Sequence, residues 1–272
     1  MKMATSSIGA LGPAGTFSEL AVNLYDSSLT PMFFGSINEA IDAVFVGDVQ
    51  EAILPVENSI QGTILETLDG IFYGNLKIIG ETIFDVRQSI VGLQSTLASN
   101  DVKCIYSHPQ AIAQCRNYIK RHYPKAKIIF TPSTASAFKK IHDEGLAEAL
   151  AIGPEFSAKR YSLEILNRDI QDTNNNQTLF VIISKHIKKE NTLTNTMLVI
   201  DPEGDRPGLL HDILGVFKES NINLDKIESR PSHKKLGSYI FYLKVALSPT
   251  DERVRDITHD LEIYGKVTNL SA

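Results

Sequence analysis

The chain has 272 residues, 43% of them hydrophobic and 22% charged, with a formal net charge of −5. That length holds one large domain plus a small one, or two of similar size. A mildly acidic chain with no block of like charges excludes nucleic acid and anionic membrane as expected partners, but leaves room for an anionic small molecule at a local site. Two cysteines, Cys104 and Cys115, are too few for a disulfide framework and show no metal spacing with histidine. Both fall in an apolar-periodic stretch and read as buried free thiols. The N-terminus lacks an apolar core of signal-peptide length, and no stretch approaches the ~18 apolar residues of a membrane span. The expectation is a cytoplasmic, reduced protein.

In chain order, apolar runs at 6–12, 51–56, 76–82, 102–107, 126–131, 150–155 and 178–184 predict strands. Helical periodicity fills 17–26, 37–47, 64–72, 109–123, 134–144 and 156–161. This alternation argues for a mainly parallel α/β sheet with helices on its faces, in a stretch long enough for two lobes. The polar segment 185–194 breaks the pattern and marks a domain boundary. Beyond it, strand 195–201, helix 207–220, strands 222–231 and 238–247, helix 251–264 and strand 266–270 give a βαββαβ order, a ferredoxin-like unit.

Several strand-to-helix junctions carry hydroxyls. GPAGTFS (12–18) opens a helix whose first N–H groups and positive dipole end suit a carboxylate or phosphate; the plainer reading is a capped turn. PVENSIQGT (55–63) stands at the carboxyl end of an apolar strand, where open α/β sheets place ligands, and has more polar side chains than a turn needs. In SHPQ (107–110), Ser107 reads as a helix cap with Pro109 in the first turn, and His108 reads as structural rather than catalytic. Ser133 and Thr134 are either a cap or a second anion-binding helix start. Thr178, opening a β run, is unremarkable by propensity. No dinucleotide fingerprint, Walker loop, HExxH or GxSxG is present. Pattern alone reaches an α/β protein that binds a small anionic ligand in a cleft.

Taken in order, GPAGTFS (12–18), PVENSIQGT (55–63), SHPQAIAQC (107–115), STASA (133–137) and NQTLF (176–180) resemble the signature blocks of prephenate dehydratases. PGLLHDILGVF (207–217) and IESRPS (227–232) resemble the glycine-loop and Glu-Ser-Arg-Pro blocks of that family's regulatory ACT domain. The resemblance runs along nearly the whole chain. It implies a catalytic domain over 1–185, built as two lobes like a type II periplasmic binding protein with the active site in the cleft. It further implies a linker at 186–194 and an ACT domain at 195–272.

The implied reaction converts prephenate to phenylpyruvate, water and carbon dioxide, a carbon–oxygen lyase step that needs no metal or organic cofactor. By resemblance, Thr178 acts on the departing hydroxyl within a network shaped by Glu57, Asn58 and Ser59. Thr16, Phe17, Ser18, Gln110, Ser133, Thr134 and Phe180 would bind substrate. Pro207, Gly208, Leu209, Leu210, Glu228, Ser229 and Arg230 would build an allosteric phenylalanine site between ACT domains of a homodimer or homotetramer.

Two departures stand out in the catalytic blocks. Leu179 occupies the position of a family arginine; if that arginine faced a carboxylate, its loss costs about 1.5–3 kcal/mol. Gln88 stands where a histidine is expected. Either Arg87, Arg116 or another cation compensates, or the cleft is silenced and the protein senses phenylalanine without turnover. Preference for arogenate, the amino analogue of prephenate, is a third reading. Leu209 also replaces a small residue after the loop glycine.

Overall fold

Strand–helix–strand alternation folds into crossover units in the computed structural model, which describes residues 7–99, 101–187, 192–232, 234 and 236–271. The contacts divide the chain into Met1–Thr67 with Thr82–Phe180, and Leu68–Glu81 with Val181–Ala272. The chain begins with β1 (Ser7–Leu11), α1 (Phe17–Tyr25), β2 (Thr30–Phe34), α2 (Ile37–Val46) and β3 (Glu51–Asn58). β1 lies parallel to both β2 and β3, as helical crossovers require. The start of α2 is written in its sequence. Ser36 accepts the Glu39 N–H at 3.1 Å, and the Glu39 carboxylate accepts the Gly35 N–H at 2.8 Å, a reciprocal cap.

Next come β4 (Gly62–Thr63), α3 (Leu65–Tyr73), β5 (Lys77–Asp85), β6 (Ser89–Gly92) and α4 (Gln94–Ser99). β7 (Cys104–Ser107), α5 (Pro109–Gln114), α6 (Arg116–His122), β8 (Lys127–Phe130) and α7 (Thr134–Glu144) follow. β9 (Ala149–Gly153), α8 (Glu155–Arg160), β10 (Glu164–Asn167) and β11 (Gln177–Ser184) complete the α/β part. One sheet has the order β2-β1-β3-β11-β5 with β4 on β3, and the other β10-β6-β9-β7-β8.

The second sheet corrects the expectation of a mainly parallel arrangement: β7 is parallel to β8 and β9, but β6 is antiparallel to β9 and β10. The apolar pattern does not predict β2, β4, β6 or β10, short strands whose residues form no apolar run as continuous as those of β7 and β9. The helical run at 109–123 divides at Cys115, whose φ of −113° and ψ of 18° leave the helical region. Alternation along β9 explains why this sheet takes helices on both faces. Ala149 and Ala151 join Phe138 and Ile141 of α7, while Leu150 and Ile152 join Ala111 and Cys115. Gly153 ends β9 because a Cβ there would stand 2.9 Å from both Phe138 and Thr134.

The remaining elements are β12 (Thr196–Pro202), α9 (Leu209–Glu219), β13 (Leu224–Pro231), β14 (Tyr239–Val245), α10 (Glu252–Leu261) and β15 (Gly265–Asn269). They form an antiparallel sheet in the order β13-β14-β12-β15, the expected βαββαβ arrangement. Ile213 and Phe217 of α9 and Val254, Ile257 and Leu261 of α10 bury against Leu198, Ile200, Leu243 and Val245. The last predicted helix stops at Leu261 and tightens into a 3-10 turn over Glu262–Tyr264. No described helix is long and apolar enough to cross a membrane.

Candidate active site

Strand ends and helix starts of the α/β part enclose a cleft of about 290 Å³. The start of α1 contributes Thr16, Phe17 and Ser18; β3 and the turn after it contribute Asn58 and Gln61. His108, Gln110 and Gln114 come from the region of α5, Ser133 and Thr134 from the start of α7, and Thr178 and Phe180 from β11. Nine residues singled out by sequence thus meet in one place, although they span positions 16 to 180. Glu57 and Ser59 are not among the lining side chains. Alternation along β3 carries Asn58 inward and its neighbours elsewhere. The Ser59 hydroxyl donates to the Asn175 carbonyl at 2.8 Å and accepts the Gln177 N–H at 2.9 Å, tying the turn to the entry of β11.

Asn58 organises the hydrogen bonds at this end of the cleft. It is 4% exposed, and its Oδ1 accepts the backbone N–H groups of Ile60 and Gln61 at 3.1 and 3.0 Å. Those two donors fix which end of the amide is oxygen. Nδ2 therefore faces Thr178 Oγ1 at 2.9 Å, Asn176 Oδ1 at 2.7 Å and the Gln177 carbonyl at 3.1 Å. Thr178 Oγ1 accepts from Asn58, so its own proton remains to be donated elsewhere.

The helix starts supply further donors. The Thr16 hydroxyl donates to the Pro13 carbonyl at 2.9 Å, and Thr16 precedes the first turn of α1. The Gly15 N–H is taken by Glu19 at 2.6 Å, and the Gly15 carbonyl accepts the Ser157 hydroxyl from α8. Gly15 has φ 84°, and a Cβ there would stand 3.3 Å from Ala135 and Tyr161, so this turn admits only glycine without displacement. Ser133 caps α7, accepting the Ser136 N–H at 3.0 Å, and Thr134 is the first helical residue. Ser107 is not the cap of α5. His108 is, its Nδ1 accepting the Gln110 N–H at 3.3 Å, while Ser107 donates to the Ile152 carbonyl at 2.6 Å. Phe84 stacks between Phe17 and Phe180, with centroids 6.2 and 5.4 Å away, and the two outer rings belong to the cleft lining.

Leu179 is 8% exposed and lies between Thr178 and Phe180, which both line the cleft; it does not. Strand alternation turns it to the other face. Neither named cation takes up the charge: Arg87 pairs with Asp85 and Asp169 at 3.1 and 3.3 Å, and Arg116 is exposed outside the lining. The lining contains no Lys, Arg, Asp or Glu, and His108 is its one ionisable side chain among the described residues.

The cleft also holds residues that sequence reading did not assign to it. Gln88, 2% exposed, donates through Nε2 to Gln114 Oε1 at 3.0 Å, and its backbone N–H donates to Gln171 Oε1 at 3.0 Å. Gln114 belongs to the SHPQAIAQC block, and helical spacing from Gln110 places both on one side of α5. That i, i+4 relation was the available signal.

In the βαββαβ part, Gly208 sits before α9 with φ 84° and open space where a Cβ would lie. Pro207, Leu209 and Leu210 flank it, with Leu210 37% exposed. On edge strand β13, Glu228 and Arg230 are half-buried and Ser229 exposed, the alternation of a strand. Arg230 donates to Asp69 at 2.6 Å, and the Tyr242 hydroxyl donates to the same carboxylate at 3.0 Å. Burial and that neighbouring carboxylate push the Tyr242 phenol well above its ordinary range.

Comparison with known proteins agrees along the length of the chain. Residues 8–188 match the family model for prephenate dehydratase, and residues 196–262 match the ACT domain. A curated prephenate dehydratase of Methanocaldococcus jannaschii is 37% identical over 95% of this chain and 94% of its own. A solved prephenate dehydratase of Arthrobacter aurescens, in complex with L-Phe, is 30% identical with a TM-score of 0.87, covering 98% of this chain and 90% of that one. A structure described as a quorum-quenching acylase, GqqA, is 26% identical with a TM-score of 0.87, covering 97% and 96%. The fold therefore carries more than one described chemistry, and the contents of the cleft must distinguish between them.

Proposed function

The chain belongs to the prephenate dehydratase family, and from that premise we propose that its cleft converts prephenate to phenylpyruvate. The observation that carries this reading is a buried threonine hydroxyl, oriented as a donor by Asn58, in a cleft lined by neutral hydrogen-bonding groups. The reaction breaks the bond from the ring to its carboxylate, and the electron pair enters the ring. The bond to the opposite hydroxyl breaks as that oxygen takes up a proton, giving carbon dioxide, water and the aromatic keto acid. Aromatisation drives the step, so the protein's task is orientation and stabilisation of the departing oxygen. Thr178 is too weak an acid to deliver a full proton; it donates a hydrogen bond to the leaving oxygen while solvent balances the proton.

The side-chain carboxylate of the substrate suits the helix starts at Thr16, Ser18, Ser133 and Thr134, with Gln110 beside them. Phe17 and Phe180 would flank the ring. Glu57 and Ser59 act through the turn that holds Asn58. An acylase reading would need a hydroxyl activated by a neighbouring base, and the Thr178 hydroxyl faces an amide donor instead.

For the C-terminal part, we read 195–272 as the ACT domain, joined through 186–194 to a catalytic domain at 1–185. Phenylalanine would bind where Pro207, Gly208, Leu209 and Leu210 meet Glu228, Ser229 and Arg230 across a homodimer or homotetramer. The exposed edge β13 and the open loop at Gly208 support that reading. A cytoplasmic setting fits two free cysteines, Cys104 and Cys115. The test is phenylpyruvate formation from prephenate by purified protein, with and without phenylalanine. Turnover suppressed by phenylalanine is expected; phenylalanine binding without any product would leave a sensing protein.

A further inference from the structure

A second chamber of about 300 Å³ adjoins the cleft, and the two share Gln61, Gln110 and Gln114 in their walls. Asn176 also lines this chamber and is 1% exposed. Its Nδ2 has no hydrogen-bond partner, and Gln88 and Gln114, bonded to each other through one amide atom apiece, each keep a second amide atom without one. The assignment of Asn176 does not depend on an arbitrary choice of amide flip. Two backbone N–H groups fix the Asn58 amide, Asn58 Nδ2 then requires an oxygen from Asn176 at 2.7 Å, and the remaining Asn176 atom is a donor. A buried donor without an acceptor is a standing cost, which an oxygen-bearing ligand removes.

The geometry points to this chamber as the subsite for the substrate carboxylate that departs as carbon dioxide, with Asn176 as its principal donor. The inference rests on the dehydratase reading. Asn176 and Thr178 are both held by one nitrogen of Asn58, at 2.7 and 2.9 Å. Sharing that nitrogen keeps the Asn176 amide oxygen and the Thr178 hydroxyl within about 5.6 Å of each other. The departing carboxylate and hydroxyl stand on opposite ring carbons, roughly 5 Å apart from ordinary bond lengths. Neutral donors also suit a group that loses its charge. As the carbon–carbon bond breaks, the carboxylate's negative charge flows into the ring, so a lysine or arginine here would hold the ground state more tightly than the transition state. An amide orients the carboxylate without that penalty and releases neutral carbon dioxide.

Asn176→Asp keeps the oxygen that Asn58 requires and replaces only the orphan donor. The expected result is a KM for prephenate raised at least about tenfold, with Ki for phenylpyruvate, which lacks this carboxylate, changed by less than about threefold. Gln114→Met, which removes the second amide of the chamber without adding charge, is expected to raise the same KM. An unchanged KM in both variants overturns the proposal, leaving Asn176 as a prop for Asn58 beside a buried water. An equal loss of affinity for prephenate and phenylpyruvate overturns it as well, because the chamber would then hold the side-chain carboxylate. Absence of turnover by the wild-type protein strikes the dehydratase reading and this subsite together; turnover with unaffected variants strikes the subsite alone.

Discussion

Thr178→Val separates the hydrogen bond of Thr178 from its shape. Valine keeps the branched outline that a strand favours, and the position is 8% exposed, so packing is preserved. Asn58 Nδ2 loses one acceptor but keeps Asn176 Oδ1 at 2.7 Å and the Gln177 carbonyl at 3.1 Å, enough for its two hydrogens. The stability cost is therefore that of one satisfied hydrogen bond, about 1 kcal/mol. The catalytic cost expected from the proposed role is larger, because the donor would act where charge develops on the departing oxygen. Removing one such donor costs roughly 10²–10³-fold in kcat, about 2.7–4 kcal/mol. Steady-state phenylpyruvate formation and urea unfolding of the same preparations separate the two effects. Thr178→Ser, which restores the hydroxyl, should recover most of the rate. A Thr178→Val enzyme with kcat within about threefold of wild type and normal stability would refute the assignment, since no transition-state contact would then have been lost.

Leu179→Arg should not raise kcat/KM and should destabilise the fold by about 2 kcal/mol or more, because it forces a charge into a buried position outside the cleft; a gain of tenfold in turnover would show that the arginine reaches substrate. Cys115 gives a pH prediction. Burial first, and then Asp172, push its thiol from 9.0 up to about 12. The folded state keeps the proton, so stability is full below pH 9 and falls as pH rises from 9 toward 12. At pH 10 the loss is about 1.4 kcal/mol. Urea midpoints at pH 8 and pH 10 should converge in Cys115→Ala, and an equal pH 10 loss in both proteins would contradict the reasoning. Asp69→Asn should cost about 2 kcal/mol in urea unfolding, because it leaves the partly buried Arg230 without its counter-charge; a change under about 0.5 kcal/mol would make the pair a surface contact of little weight.

Long elements were legible because their chemistry is local. Helix α7 announces itself through the Ser133 cap, its apolar period and Gly145 at φ 60°. Strands such as β9 and β11 are continuous apolar runs, as strands buried on both faces must be. The antiparallel pairing of β6 was not legible, because direction is set by which strand arrives beside it and leaves no mark in a four-residue run. The same limit holds within the site. Thr16 and Ser133 stand at strand-to-helix junctions and can be found from pattern. Thr178 opens an ordinary strand, and its distinction comes from Asn58, 120 positions away. Leu179 shows the opposite case: a departure from the family block that looked chemical lies on the far face of its strand.

The neutrality of the cleft ties these observations to the reaction. Prephenate arrives with two carboxylates, and the organic product leaves with one. A pocket built from fixed cations would bind the substrate dianion well but would resist the loss of charge that defines the step. Here the donors are amides, hydroxyls and helix-start N–H groups, whose dipoles are held by the fold rather than recruited from solvent. On the proposed reading Thr178 would donate toward the oxygen that gains charge, while unpartnered amide atoms of Asn176 and Gln114 belong to side chains of the adjoining chamber, where a carboxylate would shed its charge. One buried asparagine, fixed by two backbone N–H groups, holds both Thr178 and Asn176. The orientation of a single amide thereby holds both side chains, and Asn58→Asp, which replaces the donor that Thr178 and Asn176 share with an acceptor, should impair turnover more severely than loss of either partner alone.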